Sequence, residues 1–313
     1  MDIQIKTITL INENPILTLD ISPNGEQLVI GQQGDYFGNA NLTLWSLKET
    51  QLIAEIEKIK FTSIESARFT GDGKKLVYVK SVEDVCLYNI ETQEHLNASL
   101  KTENVAWLAT SKKSHRLVTA GIVTEVWDME RLERVWTLPK YRALPDFDLK
   151  PAVADITPDG TRIAVASKEP SQILIYDIDK NEVTRKLEEA PVQAHWASFG
   201  PDLRYFAVIG ELAQGIFVWE LETGERHLPH IFSSEFDGYW SLCFHPNGEY
   251  LAVGTLVGYV SLFRLSTGEI IVSQKVHEGR VWDLAFTPDG KKLISGGDDG
   301  IASILELNNL VES

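Results

Sequence analysis

One pattern limits what this chain can fold into more than any other. A short polar turn followed by an apolar run returns along its whole length. It reads Ser22-Pro23-Asn24-Gly25 before Leu28, Thr70-Gly71-Asp72-Gly73 before Leu76, and Thr157-Pro158-Asp159-Gly160 before Ile163. It continues as Gly200-Pro201-Asp202 before Phe206, His245-Pro246-Asn247-Gly248 before Leu251, and Thr287-Pro288-Asp289-Gly290 before Leu293. A degenerate copy, Ser111 to Ser114 before Leu117, fills the one wide gap. The seven anchors are spaced 48, 41, 46, 43, 45 and 42 residues apart. A period of about 44 residues falls in the range of a four-stranded unit stacked on copies of itself.

Each anchor run is followed by a second one that closes on an aromatic or large residue. These are Leu44-Trp45, Leu87-Tyr88, Val126-Trp127-Asp128, Ile175-Tyr176-Asp177, Val218-Trp219-Glu220, Leu262-Phe263 and Ile304-Leu305-Glu306. Turns such as Ser266-Thr267-Gly268-Glu269 then lead to a fourth run such as Ile270-Ile271-Val272. Short runs rich in β-branched and aromatic residues, bounded by Gly, Pro, Asn and Asp, are strands, and no segment sustains a helical period. A length of 313 residues would allow two domains. Seven repeats leave room for a single one spanning residues 1–313.

The pattern resembles the WD-repeat β-propeller family along essentially the whole chain. In the seventh unit His277, Val281, Leu284, Phe286, Pro288, Asp289, Gly290, Leu293, Ser295, Gly296 and Asp299 fall where that family places its own motif residues. The resemblance implies an all-β, seven-bladed β-propeller of four-stranded antiparallel blades. It also implies hydrogen bonds among His277, Ser295 and Asp299. Leu305 stands where the family has the Trp that completes this network. The chain ends too soon after Leu307 for the seventh unit's fourth strand, so Ile3, Ile5, Ile8 and Leu10 are expected to pair there and close the ring. Closure removes a sheet edge that would otherwise template aggregation.

Composition excludes several functions. Lys and Arg number 29 against 45 Asp and Glu, a net charge of -16, which disfavours a phosphate-backbone binder. No nucleic-acid partner is therefore expected. The N-terminus has no basic stretch followed by an apolar run, and the apolar runs are strand-sized, so a soluble, non-secreted, cytoplasmic protein with no membrane partner is expected. Cys86 and Cys243 sit inside apolar alternation and read as reduced core thiols. Phosphate-loop, nucleophile-elbow, His-Glu-x-x-His and Cys-x-x-Cys patterns do not occur. His227 and His230 flank a Leu-Pro pair unsuited to a metal, and Asp298-Asp299-Gly300 lacks the ligand spacing of a calcium loop. The expectation is a non-catalytic chain without metal or cofactor.

Two kinds of tryptophan remain. Trp45, Trp127 and Trp219 occupy the aromatic position of third strands and are expected to pack between blades. Trp240 and Trp282 instead open inner strands, and unit alignment puts His195 at the same place in unit five. In the family this position opens onto the upper face around the central channel. His195, Trp240 and Trp282 would then stand side by side on three consecutive blades. The preceding loops add Phe236, Asp237, Tyr239 and Arg280, and Glu65 is the equivalent inner-strand residue of unit two. Trp, Tyr and Arg are the residues that dominate binding hot spots. Insertions at 32–41 and 140–150 lengthen loops of the same face. The sequence thus points to a monomeric scaffold that binds a protein or peptide on this face, with basic residues if the acidic charge takes part. A propeller enzyme or small-ligand sensor using the channel is the alternative, and a sensor acting with a separate effector protein is a third.

Overall fold

The repeated turn holds itself together with its own side chains. In the computed structural model, Thr287 Oγ donates to Asp289 Oδ1 at 2.6 Å and accepts from the Lys292 amide at 3.1 Å, while the Lys291 amide donates to Asp289 Oδ1 at 3.1 Å. Thr157 with Asp159, Thr70 with Asp72, and Ser22 with Asn24 repeat the arrangement. Glycine follows because the turn needs positive φ: Gly25, Gly73, Gly160, Gly248 and Gly290 lie between 70° and 76°, and in the fifth repeat Leu203 takes 60°. The repeated turn is therefore a compact hydrogen-bonded hairpin connection, and it sets the register of the two strands it joins.

The structure describes residues 4–9, 14–34, 39–80, 84–100, 102, 104–138, 153–167, 172–191, 194–210, 215–227 and 238–307. They form seven antiparallel sheets, the blades of a β-propeller. The inner strands are Ile16–Ile21, Ile64–Phe69, Val105–Thr110, Val153–Ile156, Ala194–Phe199, Tyr239–Phe244 and Val281–Phe286. Six blades have four strands. In the fifth, three strands lie among the described residues, and a Trp219–Arg226 bridge marks the start of a further pairing. The seventh blade is completed from the other end of the chain: Gln4–Thr9 pairs antiparallel with Ile301–Glu306, from Gln4 opposite Glu306 to Thr9 opposite Ile301.

Packing follows the same repeat. Seven clusters of buried apolar side chains each fill the space between one blade and the next. Between blades one and two, Leu42 and Leu44 meet Ile64, Phe69 and Tyr78. Between blades seven and one, Ile294, Ala302 and Ile304 meet Ile16, Leu19 and Ile30, which closes the ring. Close approach explains the Ser295-Gly296 pair, since a Cβ on Gly296 would come within 2.5 Å of Ile16 Cγ2. Trp45, Trp127 and Trp219 each belong to the cluster shared with the preceding blade. The indole N–H groups of Trp45 and Trp127 are satisfied by Thr43 and Thr119. Neither Cys86 nor Cys243 is in a disulfide. The hairpin turns of the repeat line the lower face, and the described connections that lead into inner strands, such as 61–63 and 276–280, lie on the upper one.

Candidate functional site

The upper face is shaped by one irregularity used again and again. In six inner strands the pairing register shifts by one residue near the start, between Ile16 and Thr18, Ile64 and Ser66, Val105 and Trp107, Ala194 and Trp196, Tyr239 and Ser241, and Val281 and Asp283. A bulge leaves one residue out of the ladder and re-aims its side chain. The bulged residues are Leu17, Glu65, Ala106, His195, Trp240 and Trp282, so the position singled out by unit alignment has a backbone cause.

On blades five to seven these bulges bring three rings into one cluster. The His195 and Trp240 rings lie 4.8 Å apart at 33°, and Trp240 meets Trp282 edge to face at 5.3 Å. The Arg280 guanidinium sits in the corner between the indoles, 4.0 Å from the Trp240 ring centre and 4.4 Å from that of Trp282. Asp298 fixes the arrangement from below, accepting Trp282 Nε1–H at 2.6 Å and the Arg280 amide at 2.7 Å. Gly279, at φ 107°, is what lets Asp298 come so close, since a Cβ there would lie 2.7 Å from Asp298 Oδ2. Indole and guanidinium faces attract through the ring quadrupole, and each contact is worth about 0.5–2 kcal/mol.

Beside this cluster, the expected hydrogen-bond network of blade seven is formed as far as its residues allow. Buried His277 reaches Ser295 Oγ at 2.8 Å through Nε2 and Asp299 Oδ1 at 3.0 Å through Nδ1. Burial works against ionising Asp299, but the His277 ring and the amides of Glu278 and Ile301 outweigh it and hold the carboxyl below its usual range. Leu305 takes the place of the missing Trp as a buried apolar contact between blades six and seven.

The central channel is interrupted. Trp107 of blade three meets Trp196 of blade five edge to face at 4.5 Å, across the smaller Val153 of blade four. Arg68 of blade two lies over the Trp107 ring at 5.8 Å and reaches Thr18 of blade one and Asp283 of blade seven at 2.7 and 3.2 Å. These side chains form a bar across the ring. Next to it lies a cavity of about 510 Å³, lined by the bar, the lower ends of the inner strands and the turns at Pro23, Pro158, Pro201, Pro246 and Pro288, so it faces the lower side.

Three carboxylates converge on that cavity, and each is already used to bind one blade to the next. Asp20 accepts the Phe69 amide at 2.9 Å, Asp155 the Phe199 amide at 2.7 Å, and Asp283 the Leu19 amide at 3.0 Å. Lys112 pairs with Asp20 at 3.3 Å. Burial pushes Asp155 up to about 6 and also raises Asp283 and the Cys243 thiol. Among the described residues, no group of three His, Cys, Asp or Glu side chains is placed to hold a metal ion. The cavity therefore carries acidic residues whose chemistry is spent on holding the ring.

The expected upper-face residues divide. His195, Trp240, Trp282 and Arg280 come together. Tyr239 does not join them: it is 2% exposed and packs on Phe263 in the core between blades five and six. As the paired residue before the bulge it points into the blade, and only Trp240 is turned outward. Glu65 stands apart on blade two, where desolvation by the surrounding protein raises its carboxyl above the ordinary value. Phe236 and Asp237 lie outside the described residues, as do the whole of the 140–150 insertion and residues 35–38 of the other. Half-buried His227 bonds the Leu265 carbonyl at 3.0 Å and packs on Tyr205. The sequence reading missed Asp298 as the clamp and Trp107 and Trp196 as the bar. The signal for the latter was present, because both occupy the place held by Thr18, Ser66, Ser241 and Asp283 in other units.

Comparison with known proteins agrees with this architecture. The family described as "WD domain, G-beta repeat" matches residues 268–304, which run from the last strand of blade six through the third of blade seven. WD repeat-containing protein SL1-17 of Schistosoma mansoni is 26% identical over 206 residues, covering 65% of this chain and 67% of that protein. WD repeat-containing protein VIP3 of Arabidopsis thaliana is 24% identical over 205 residues, covering 61% and 62%. Protein LST8 homolog of Drosophila melanogaster is 27% identical over 159 residues, covering 50% of this chain and 49% of its own length.

Proposed function

We propose that this chain, which is similar to WD-repeat β-propeller proteins that generally serve as protein-interaction scaffolds, is a non-catalytic scaffold binding a protein or peptide on its upper face. The observation that carries this reading is the His195–Trp240–Arg280–Trp282 cluster, built by bulges on three consecutive blades. Rigid aromatic surface with a stacked Arg is the composition of an interface anchor, and mounting it on sheet rather than loop fixes its shape. The docking area runs over blades five to seven beside the channel mouth.

The net charge of -16 gives the approach of a partner its long-range part. A segment of net positive charge is drawn in faster than a neutral one, and moderate salt slows its association. The propeller acts as a monomer in the cytoplasm in this reading.

Affinity capture with the parent protein and with a Trp240→Ala/Trp282→Ala variant, read by mass spectrometry, tests the proposal. Partners that vanish from the variant while its melting temperature holds support it. Partners retained at full level by the variant overturn it.

A further inference from the structure

Arg280 is a cation packed against two indole rings, with its side-chain donors unused among the described residues. Its guanidinium rests on Trp240 and Trp282, yet among the described residues its side chain makes no hydrogen bond and no ion pair. Its Nε is buried from water without an acceptor. A guanidinium presents its N–H donors in a planar fork, and that fork matches the two oxygens of a carboxylate. A buried donor without an acceptor costs free energy that a bound acceptor recovers. The backbone amide of Arg280 and the Trp282 indole are locked on Asp298, so the side chain is held in place by groups that do not compete for the fork.

We propose that Arg280 is the receptor for one acidic side chain, Asp or Glu, of an extended partner segment, whose neighbouring apolar residue lies on the Trp240 and His195 rings. The proposal deepens the upper-face reading and rests on it. Local charge favours a monoanion over phosphate. Asp298 and Asp299 lie in the adjoining turn, Glu278 two residues away is paired with Lys275 at 2.7 Å, and a dianion would meet these carboxylates with one Arg to offset them. Net positive charge elsewhere on the segment steers it to the acidic propeller; the single carboxylate sets its register once it arrives. The two requirements act at different distances and do not conflict.

Four pools of fluorescein-labelled nonapeptides test this, with Glu, Gln, phosphoserine or Lys fixed at the centre and the other positions randomised among Ala, Ser, Leu, Tyr and Lys. Anisotropy titrations against the parent protein should show the Glu pool binding about tenfold tighter than the Gln pool, the worth of a charge-assisted bond. In Arg280→Gln the two pools should bind alike. Arg280→Lys, which keeps the charge but loses the fork, should retain only part of the preference. Melting curves of each variant confirm that it is folded. Equal binding of the Glu and Gln pools, a preference for the Lys or phosphoserine pool, or no binding of any pool overturns the proposal. Binding that is abolished by Trp240→Ala/Trp282→Ala but indifferent to Arg280 overturns the carboxylate receptor and leaves the upper-face site standing. Glu-selective binding that survives the paired Trp change overturns both.

Discussion

Asp155 offers a quantitative check on the claim that the channel carboxylates are ties between blades rather than a reactive or ligand-binding set. Its Oδ2 accepts the Phe199 amide of blade five at 2.7 Å, and burial, only partly offset by that bond and by the charges of Lys112 and Arg68, lifts its carboxyl from the ordinary 3.8 to about 6. Between these two values the folded chain carries a proton that the unfolded chain has lost. Stability must therefore fall as pH rises from about 4 to about 6, and the loss is complete above that window. A shift of this size corresponds to about 3 kcal/mol, an upper bound because Asp155 keeps part of its surface exposed. Asp155→Asn keeps an oxygen for the Phe199 amide and never ionises. The variant should exceed the parent by about 1–3 kcal/mol in urea unfolding at pH 7.5, and the gain should fall to about a third of that at pH 4.5 and vanish below about pH 3. A variant less stable than the parent at pH 7.5 would refute the reasoning, because it would mean that the channel requires the carboxylate in its charged form.

Three further outcomes follow from other parts of the fold. Deleting residues 1–10 leaves Ile301–Glu306 as an open edge and should lower the melting temperature by at least about 4 °C, with loss of solubility; an unchanged melt contradicts closure by the N-terminal strand. Gly296→Ala forces a Cβ against Ile16, which is fully buried and cannot swing aside, and should cost about 1–3 kcal/mol by chemical unfolding. Asp299→Asn removes a carboxylate held below its usual range. The stabilisation is complete above the unfolded value near 3.8 and disappears as pH falls through the lower folded one, so the variant should lose about 1–2 kcal/mol at pH 7 and progressively less as pH falls below 3.8.

The fold was legible because the period, the hairpin turn and the third-strand aromatic all express one repeated unit. Each Thr-x-Asp-Gly turn in the sequence has a hydrogen-bond set behind it, and Gln4–Thr9 pairs where the short seventh unit demanded a strand. Unit alignment also placed His195, Trp240 and Trp282 correctly relative to each other, because a bulge recurs at that position. Alignment alone could not separate Trp240 from its neighbour Tyr239. The two differ by one step of the pleat, and the bulge decides which of them faces out. Nor could it show the Arg68–Trp107–Trp196 bar, whose members come from blades two, three and five and meet only across the closed ring. The role of Asp298 was hidden for a similar reason, since the clamp depends on Gly279 bringing two loops together.

The central claim is that partners dock on the upper face of blades five to seven, and crosslinking from defined positions tests it most directly. A photoreactive p-benzoylphenylalanine at exposed Glu278, beside the cluster, is compared in cells with the same group at exposed Lys113 on the lower face. The account predicts a discrete partner adduct from position 278 that is absent from position 113 and disappears when Trp240 and Trp282 are both Ala. An adduct formed from position 113, and unaffected by the paired Trp change, would contradict it.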